Sequence, residues 1–140
     1  MTNFTDVGEF HRKFNLPVST EGEVRELPPE LLSFRLKFLK EELREFELAM
    51  PTWTTEADHA QMFDALIDLV YVAMGTAHLL GYPWERGWEL VQAANMKKIR
   101  AKKASESKRD SSWDVVKPPG WQPPDIEDLI DSLPRTRLKE

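Results

Sequence analysis

The stretch MFDALIDLVYVAMGTAHLL, Met62 to Leu80, decides the fold of this chain. Wound as a helix it has almost no polar face, and a helix that is apolar on most sides is expected to be enclosed in a bundle. Asp64 and Asp68 interrupt it, four residues apart and so pointing the same way. A carboxylate among apolar neighbours is costly unless it is paired, protonated or bound to a metal ion. By length the stretch passes for a membrane span. Its two Asp, one His and small residues Ala73, Gly75 and Ala77 suit a buried bundle helix better.

Upstream, Pro28 and Pro29 start a long helix that Pro51 ends near Met50. Its residues Leu31, Leu32, Phe34, Leu36, Phe38, Leu39, Leu43 and Phe46 recur with helical spacing. It also carries Glu41, Glu42 and Glu45 within about one turn. The ordinary reading of such a run is a solvated face with i,i+4 charge pairs. The ordinary reading of Asp64 and Asp68 is an ion pair with a base such as Arg44 or Lys37. A short connection makes the two long helices antiparallel neighbours, however, so five acids converge. Oxygen ligands without His or Cys indicate Mg²⁺ or Mn²⁺, which keep positions open for water and substrate phosphates.

Elsewhere the pattern predicts a short helix from about Asp6 to Phe14, capped by Thr5 or Asp6, and a loop from Val18 to Leu27. The apolar helix starts near Glu56 and turns at Gly81-Tyr82-Pro83. A fourth helix runs from Trp84 past Lys98 towards Ala104. No strand pattern competes. Beyond Ser105 the composition shifts to DSSWDVVKPPGWQPPD, a Pro-rich aromatic arm ending in a short helix near 126–133. The expectation is an all-α bundle of about four core helices, with a catalytic domain over 1–105. Residues 106–140 form an arm that packs on the domain or on a neighbouring subunit.

With 140 residues, 41% hydrophobic and 31% charged, the chain has the composition of one ordinary globular domain. Its net charge of −5 argues against a dedicated nucleic-acid binder. The absence of cysteine excludes disulfides, thiolate zinc sites and cysteine nucleophiles. There is no P-loop and no Gly-x-Ser-x-Gly, and His11, His59 and His78 have no partners that suggest a triad. The N-terminus lacks the layout of a signal peptide, so the expected location is the cytoplasm, or the host cytoplasm if the chain is viral. NMKKIRAKK, from Asn95 to Lys103, continues to Lys108 and Arg109. That basic stretch reads as a solvated helix end, a nucleic-acid patch or a complement to a triphosphate.

Taken in order, Glu41–Glu45 as EExxE, then DALIDLVYVAMGTA, then NMKK resemble the MazG/HisE-like all-α nucleoside triphosphate pyrophosphohydrolases. GEFHRKFNLP, Gly8 to Pro17, is similar to that family's first helix. KRDSSWDVVKPPGWQPPDI, Lys108 to Ile126, is similar to the arm of its phosphoribosyl-ATP pyrophosphohydrolase-like branch. The resemblance implies hydrolysis of a (d)NTP to the (d)NMP plus pyrophosphate, with Mg²⁺ as cofactor and Mn²⁺ able to substitute. It implies metal ligation and catalysis by Glu42, Glu45 and Asp68, with Glu41 and Asp64 beside them and Glu41 suited to orient or deprotonate water. One departure stands out: the family commonly has Glu where this chain has Ala65, and Asp64 is offered one residue earlier. Asn95 and Lys98 match substrate contacts, Lys108 a contact to phosphates from a neighbouring subunit, and Phe10, His11 and Phe14 a base pocket. The resemblance further implies a homodimer or tetramer, with no membrane and no stable nucleic-acid partner. The layout is closest to the viral dGTP- or GTP-acting MazZ type; dUTP-, dCTP- or dATP-directed members are the alternative. Outside this family, the rival reading is a non-catalytic helical module that binds nucleic acid or a partner through Lys97–Arg109.

Overall fold

A computed structural model describes residues 1–139. The elements in chain order are α1 (Asn3–Lys13), β1 (Val24–Glu26), α2 (Pro29–Ala49), α3 (His59–Leu80), α4 (Trp84–Asn95), β2 (Ile99–Arg100), a 3₁₀ turn (Ala104–Glu106), β3 (Val115–Val116), α5 (Ile126–Asp131) and β4 (Arg135–Arg137). The architecture is all-α, as the periodicity predicts, and the strands are marginal additions. The chain forms two compact units, Met1–Trp84 with the segment from Leu133, and Glu85–Ser132. The sequence had suggested a single boundary, near residue 105.

In the first unit α2 and α3 pack along their length. Pro29 occupies the first turn of α2, where its missing N–H leaves no intrahelical bond unmade. Asp58 caps α3 by accepting the N–H of Gln61, so this helix begins two to three residues later than the apolar pattern suggests. Gly81 ends α3 in the left-handed region, with φ of 73°. Helix α1 starts earlier than expected, because Thr2 and Thr5 form a reciprocal capping box. Phe4 and Val7 of α1 pack on Met74 and Ala77 of α3, with Tyr71 and Trp84 at the margin.

Two histidines lie in this core. His78 accepts the backbone N–H of Ser19 at Nδ1 (3.1 Å), so its proton sits on Nε2, which donates to the Phe4 carbonyl (2.8 Å). Phe4 stacks on that imidazole at 3.7 Å. His11 donates from Nδ1 to the Pro17 carbonyl at 2.7 Å, since a carbonyl can only accept. Burial holds both imidazoles below the ordinary histidine range.

Besides α4, which ends at Asn95 rather than running past Lys98 because Ile99 and Arg100 pair with β3, two expectations need correction. The segment 18–27, predicted as a loop, contains β1, which runs parallel to β4 with Val24 opposite Arg135. Arg25 secures it, donating to the His78 carbonyl at the end of α3 (3.1 Å) and to the Val18 carbonyl (2.7 Å). Such pairing between distant short segments has no periodic signature, so no local pattern reveals it. The second concerns α3, predicted to be enclosed on most sides. Only 39% of its most apolar 18 residues are buried, and Phe63 (66% exposed), Leu66, Ile67 and Val70 form an open face. On α2, Leu32, Phe34, Leu36, Leu43 and Leu48 are also exposed. Hydropathy reports which side chains avoid water, not whether packing covers them, and these are exposed among the described residues.

A side chain at Gly81 would meet the Glu23 carbonyl oxygen, and its backbone is left-handed. Gly81→Ala is therefore expected to lower stability by at least ~1–2 kcal/mol, the cost of the left-handed conformation alone. Chemical denaturation checks this, and an unchanged midpoint would contradict the assigned role.

Candidate metal centre and basic pocket

Glu42 and Glu45 stand three apart on α2 and face the same way; the packing of α3 brings Asp68 to them. One carboxylate oxygen from each lies within 4.8 Å of the other two. The buried acid is Glu42 (9% exposed), with Asp68 half-buried and Glu45 exposed. The apolar pattern of α3 had suggested that Asp64 and Asp68 would be the enclosed pair. Asp64 is instead exposed, one turn before Asp68. Glu41 is exposed and lies outside the three-acid group. Ala65, at the position where Glu is usual, is buried in the core.

The electrostatics of the group are unfavourable as it stands. Burial, then the charges of Glu45 and Asp68, push the Glu42 carboxyl above the ordinary range. Burial, then Asp64 and Glu45, do the same to Asp68. Oε2 of Glu42 is buried without a hydrogen-bond partner. Among the described residues no ion pair reaches these acids, and neither Lys37 nor Arg44 serves as their counterion. An orphaned buried oxygen in a cluster of like charges is an arrangement that a bound cation would satisfy. The donor set, three carboxylates with no His or Cys, fits a hard divalent ion. Glu42, Glu45 and Asp68 would hold it.

The second unit gathers cations. Strand β2 pairs antiparallel with β3, Ile99 opposite Val116 and Arg100 opposite Val115. The next pair outward is Lys98 and Lys117, and both ammonium groups lie over the Trp121 ring, at 5.2 and 4.9 Å. Trp121 donates its indole N–H to the Ala94 carbonyl (2.7 Å), which fixes the ring. Lys98, Lys108, Arg109 and Lys117 line a pocket of about 310 Å³ together with Glu106 and Asp114. Lys117 escaped sequence reading because it lies outside the basic run; only strand pairing brings it in, and the Val115-Val116 pair was its one local hint. Asn95 ends α4 and is exposed.

The remaining predicted positions lie on α1 and at its C-cap, Phe14. Phe10 and Phe14 are part-exposed, with ring centres 4.7 Å apart, and Tyr71 meets Phe10 edge-on at 5.5 Å. Tyr71 also lines an apolar groove of about 560 Å³ between α1 and α3. His11 is 2% exposed and its Nδ1–H is engaged by Pro17, so it is built into the core beside this region.

A family model for phosphoribosyl-ATP pyrophosphohydrolase matches residues 7–95. This chain belongs to that family. The matched range includes Glu42, Glu45 and Asp68 and ends at Asn95, so Lys98 and Lys108 lie beyond it. An uncharacterized protein of Acanthamoeba polyphaga mimivirus is 32% identical over 82 residues, 57% of this chain and 31% of that protein. The aligned part thus spans about a third of the relative's length.

The raised carboxyl groups give a pH dependence with a definite sign. A carboxyl whose folded pKa exceeds its unfolded value adds stability below about pH 4 that is lost as pH rises through the folded pKa. In chelator, Glu42→Gln is expected to exceed the parent in stability, by a margin that grows as pH rises above about 4. Mg²⁺ or Mn²⁺ should reverse the order, since a ligand at 100 times its Kd stabilises by about 2.7 kcal/mol. Melting curves across pH, with and without metal, decide it. Equal curves for both proteins under all conditions would remove the metal centre from consideration.

Proposed function

We propose that this protein is a Mg²⁺-dependent nucleoside triphosphate pyrophosphohydrolase, converting a (d)NTP to the (d)NMP and pyrophosphate. The observation that carries the reading is the buried, partnerless Glu42 oxygen within reach of Glu45 and Asp68, inside the part of the chain that matches the family.

When bound, a divalent cation supplies charge neutralisation at phosphate oxygens and acidifies water. Glu42, Glu45 and Asp68 fix the position at which it would act. Their rigidity comes from the helices: α2 and α3 pack over their length, so the three carboxylates are held before substrate arrives. Glu41, exposed and adjacent in sequence, is our assignment for the base that takes a proton from the attacking water. Water adds at the α-phosphorus, the α–β phosphoanhydride bond breaks, and pyrophosphate leaves. Asn95, Lys98 and Lys108 are assigned to substrate, and Phe10 and Phe14 to the base. We assign guanine, as dGTP or GTP, on the resemblance of overall layout.

The homo-oligomeric state belongs to the same proposal. The exposed face of Phe63, Leu66, Ile67 and Val70 is larger and more continuous than scattered surface apolar residues, and a second copy would cover it.

Purified protein mixed with each common dNTP and NTP in Mg²⁺ should release monophosphate and pyrophosphate, fastest from the guanine nucleotides. Asp68→Asn is expected to lower kcat by about 100-fold or more with the helical content intact, because it removes charge needed at the transition state. Release of products from none of the nucleotides would refute the hydrolase reading. In solution the parent should have a mass of two chains or more by light scattering. Phe63→Asp should yield a folded species of lower mass, and an unchanged mass would mean that this face is not the interface.

A further inference from the structure

The basic pocket of the second unit has an internal support that its cations do not explain. Of its two acids, Glu106 is occupied, accepting the Lys102 N–H at Oε2 (3.0 Å). Asp114 is occupied more fully. Its Oδ2 accepts the Ser107 hydroxyl (2.7 Å) and an Arg109 guanidinium N–H (2.9 Å), while Oδ1 accepts the Val115 N–H (2.9 Å). Ser107 Oγ in turn accepts the Arg109 N–H at 3.0 Å. The Asp114 carbonyl accepts the Ala101 N–H (3.0 Å), which ties this hub to the end of β2. Asp114 therefore grips the residues on both sides of Lys108, immediately before the positive-φ turn at Asp110.

The three lysines contrast with the acids. Among the described residues no ion pair involves Lys98, Lys108 or Lys117. Lys98 and Lys117 crowd one tryptophan ring, where each raises the energy of the other. An anion with several oxygens would offset that repulsion. The pocket, at about 310 Å³, is at the small end for ligand sites and suits a phosphate chain better than a whole nucleotide.

We infer that Asp114 is a positioning residue for oligophosphate recognition: by gripping Ser107 and Arg109 it fixes Lys108 in the pocket, and Lys117 joins Lys98 and Lys108 in holding a chain of phosphates. The inference rests on the nucleotide chemistry proposed above, but it is tested without hydrolysis. The probe is inorganic tripolyphosphate in chelator, titrated into the full chain by calorimetry and by the NMR signal of the Trp121 indole N–H, assigned with Trp121→Phe.

Binding is expected to shift that signal and to weaken as salt rises. Lys117→Gln and Asp114→Ala should each weaken binding by about tenfold or more, as for loss of a charge-assisted contact. Asp114→Asn keeps one accepting oxygen but loses the other and the charge that holds Arg109, and should fall between parent and Asp114→Ala. Glu127→Gln, on α5, should bind as the parent does. With hydrolysable nucleotide, Asp114→Ala should raise KM and leave kcat within about threefold, which a general loss of structure would not do. If Asp114→Ala fails to fold, Asp114→Asn and Lys117→Gln decide the matter. Parent-like affinity in Lys117→Gln and in the Asp114 variants overturns the inference even if hydrolysis is found. Asp114-dependent binding without hydrolysis of any nucleotide sustains it while the pyrophosphohydrolase reading fails.

Discussion

Repulsion among carboxylates at the α2–α3 contact is the constraint on which this structure turns. Glu42 is buried beside Glu45 and Asp68, with Asp64 one turn away, and no base within the described residues compensates them. A fold maintained for stability alone would place apolar residues or an ion pair there, since like charges in a helix contact oppose folding. The arrangement is held by the apolar packing around it, and strain of this kind is characteristic of sites where a ligand completes the charge balance.

The rest of the first unit serves to hold those two helices in register. Pro29 and the Asp58 cap fix where α2 and α3 begin, and Gly81 with Arg25 fixes where α3 ends. Helix α1 covers the C-terminal half of α3 through Phe4 and Val7, and His78 joins it to the following segment by two hydrogen bonds. His78 does so as a neutral imidazole, using one ring nitrogen to accept and the other to donate. Near α2 and α3, Arg35 makes a second polar anchor, donating to Thr76 Oγ1 (3.0 Å) and to the Val72 carbonyl (2.9 Å). Arg35 is 8% exposed and has no acid partner among the described residues; backbone and hydroxyl oxygens and the face of Phe38 (5.4 Å) surround its charge instead. Together these contacts place the carboxylates on rigid elements, as a preorganised cation site requires.

The two units pose opposite electrostatic problems. In the first, acids are crowded; in the second, Lys98 and Lys117 share a tryptophan face while the local acids are committed to the backbone and to Arg109. Each unit has surplus charge of one sign in one place. Surplus charge of either sign, held on a packed scaffold, is the kind of arrangement that a ligand of the opposite sign relieves.

The sequence by itself determined the helices and the chemical character of the site. Helical spacing in α2 and α3 is dictated by which side chains avoid water, and prolines, a capping aspartate and a left-handed glycine mark the ends; all of these act locally. The shared face of Glu42 and Glu45 was also legible, because residues three apart on a helix lie together, whereas Asp68 joins them only through the packing of α3 on α2. Tertiary structure decided which acid is buried. Glu42 is sheltered by α3 while Asp64 is open to solvent, and neither outcome follows from its own neighbours in sequence. It decided that much of the apolar helix is uncovered, that 18–27 carries a strand paired with residues over a hundred positions later, and that Lys117 stands beside Lys98. Contacts between distant segments depend on how elements pack, and no periodicity within either segment encodes the partner.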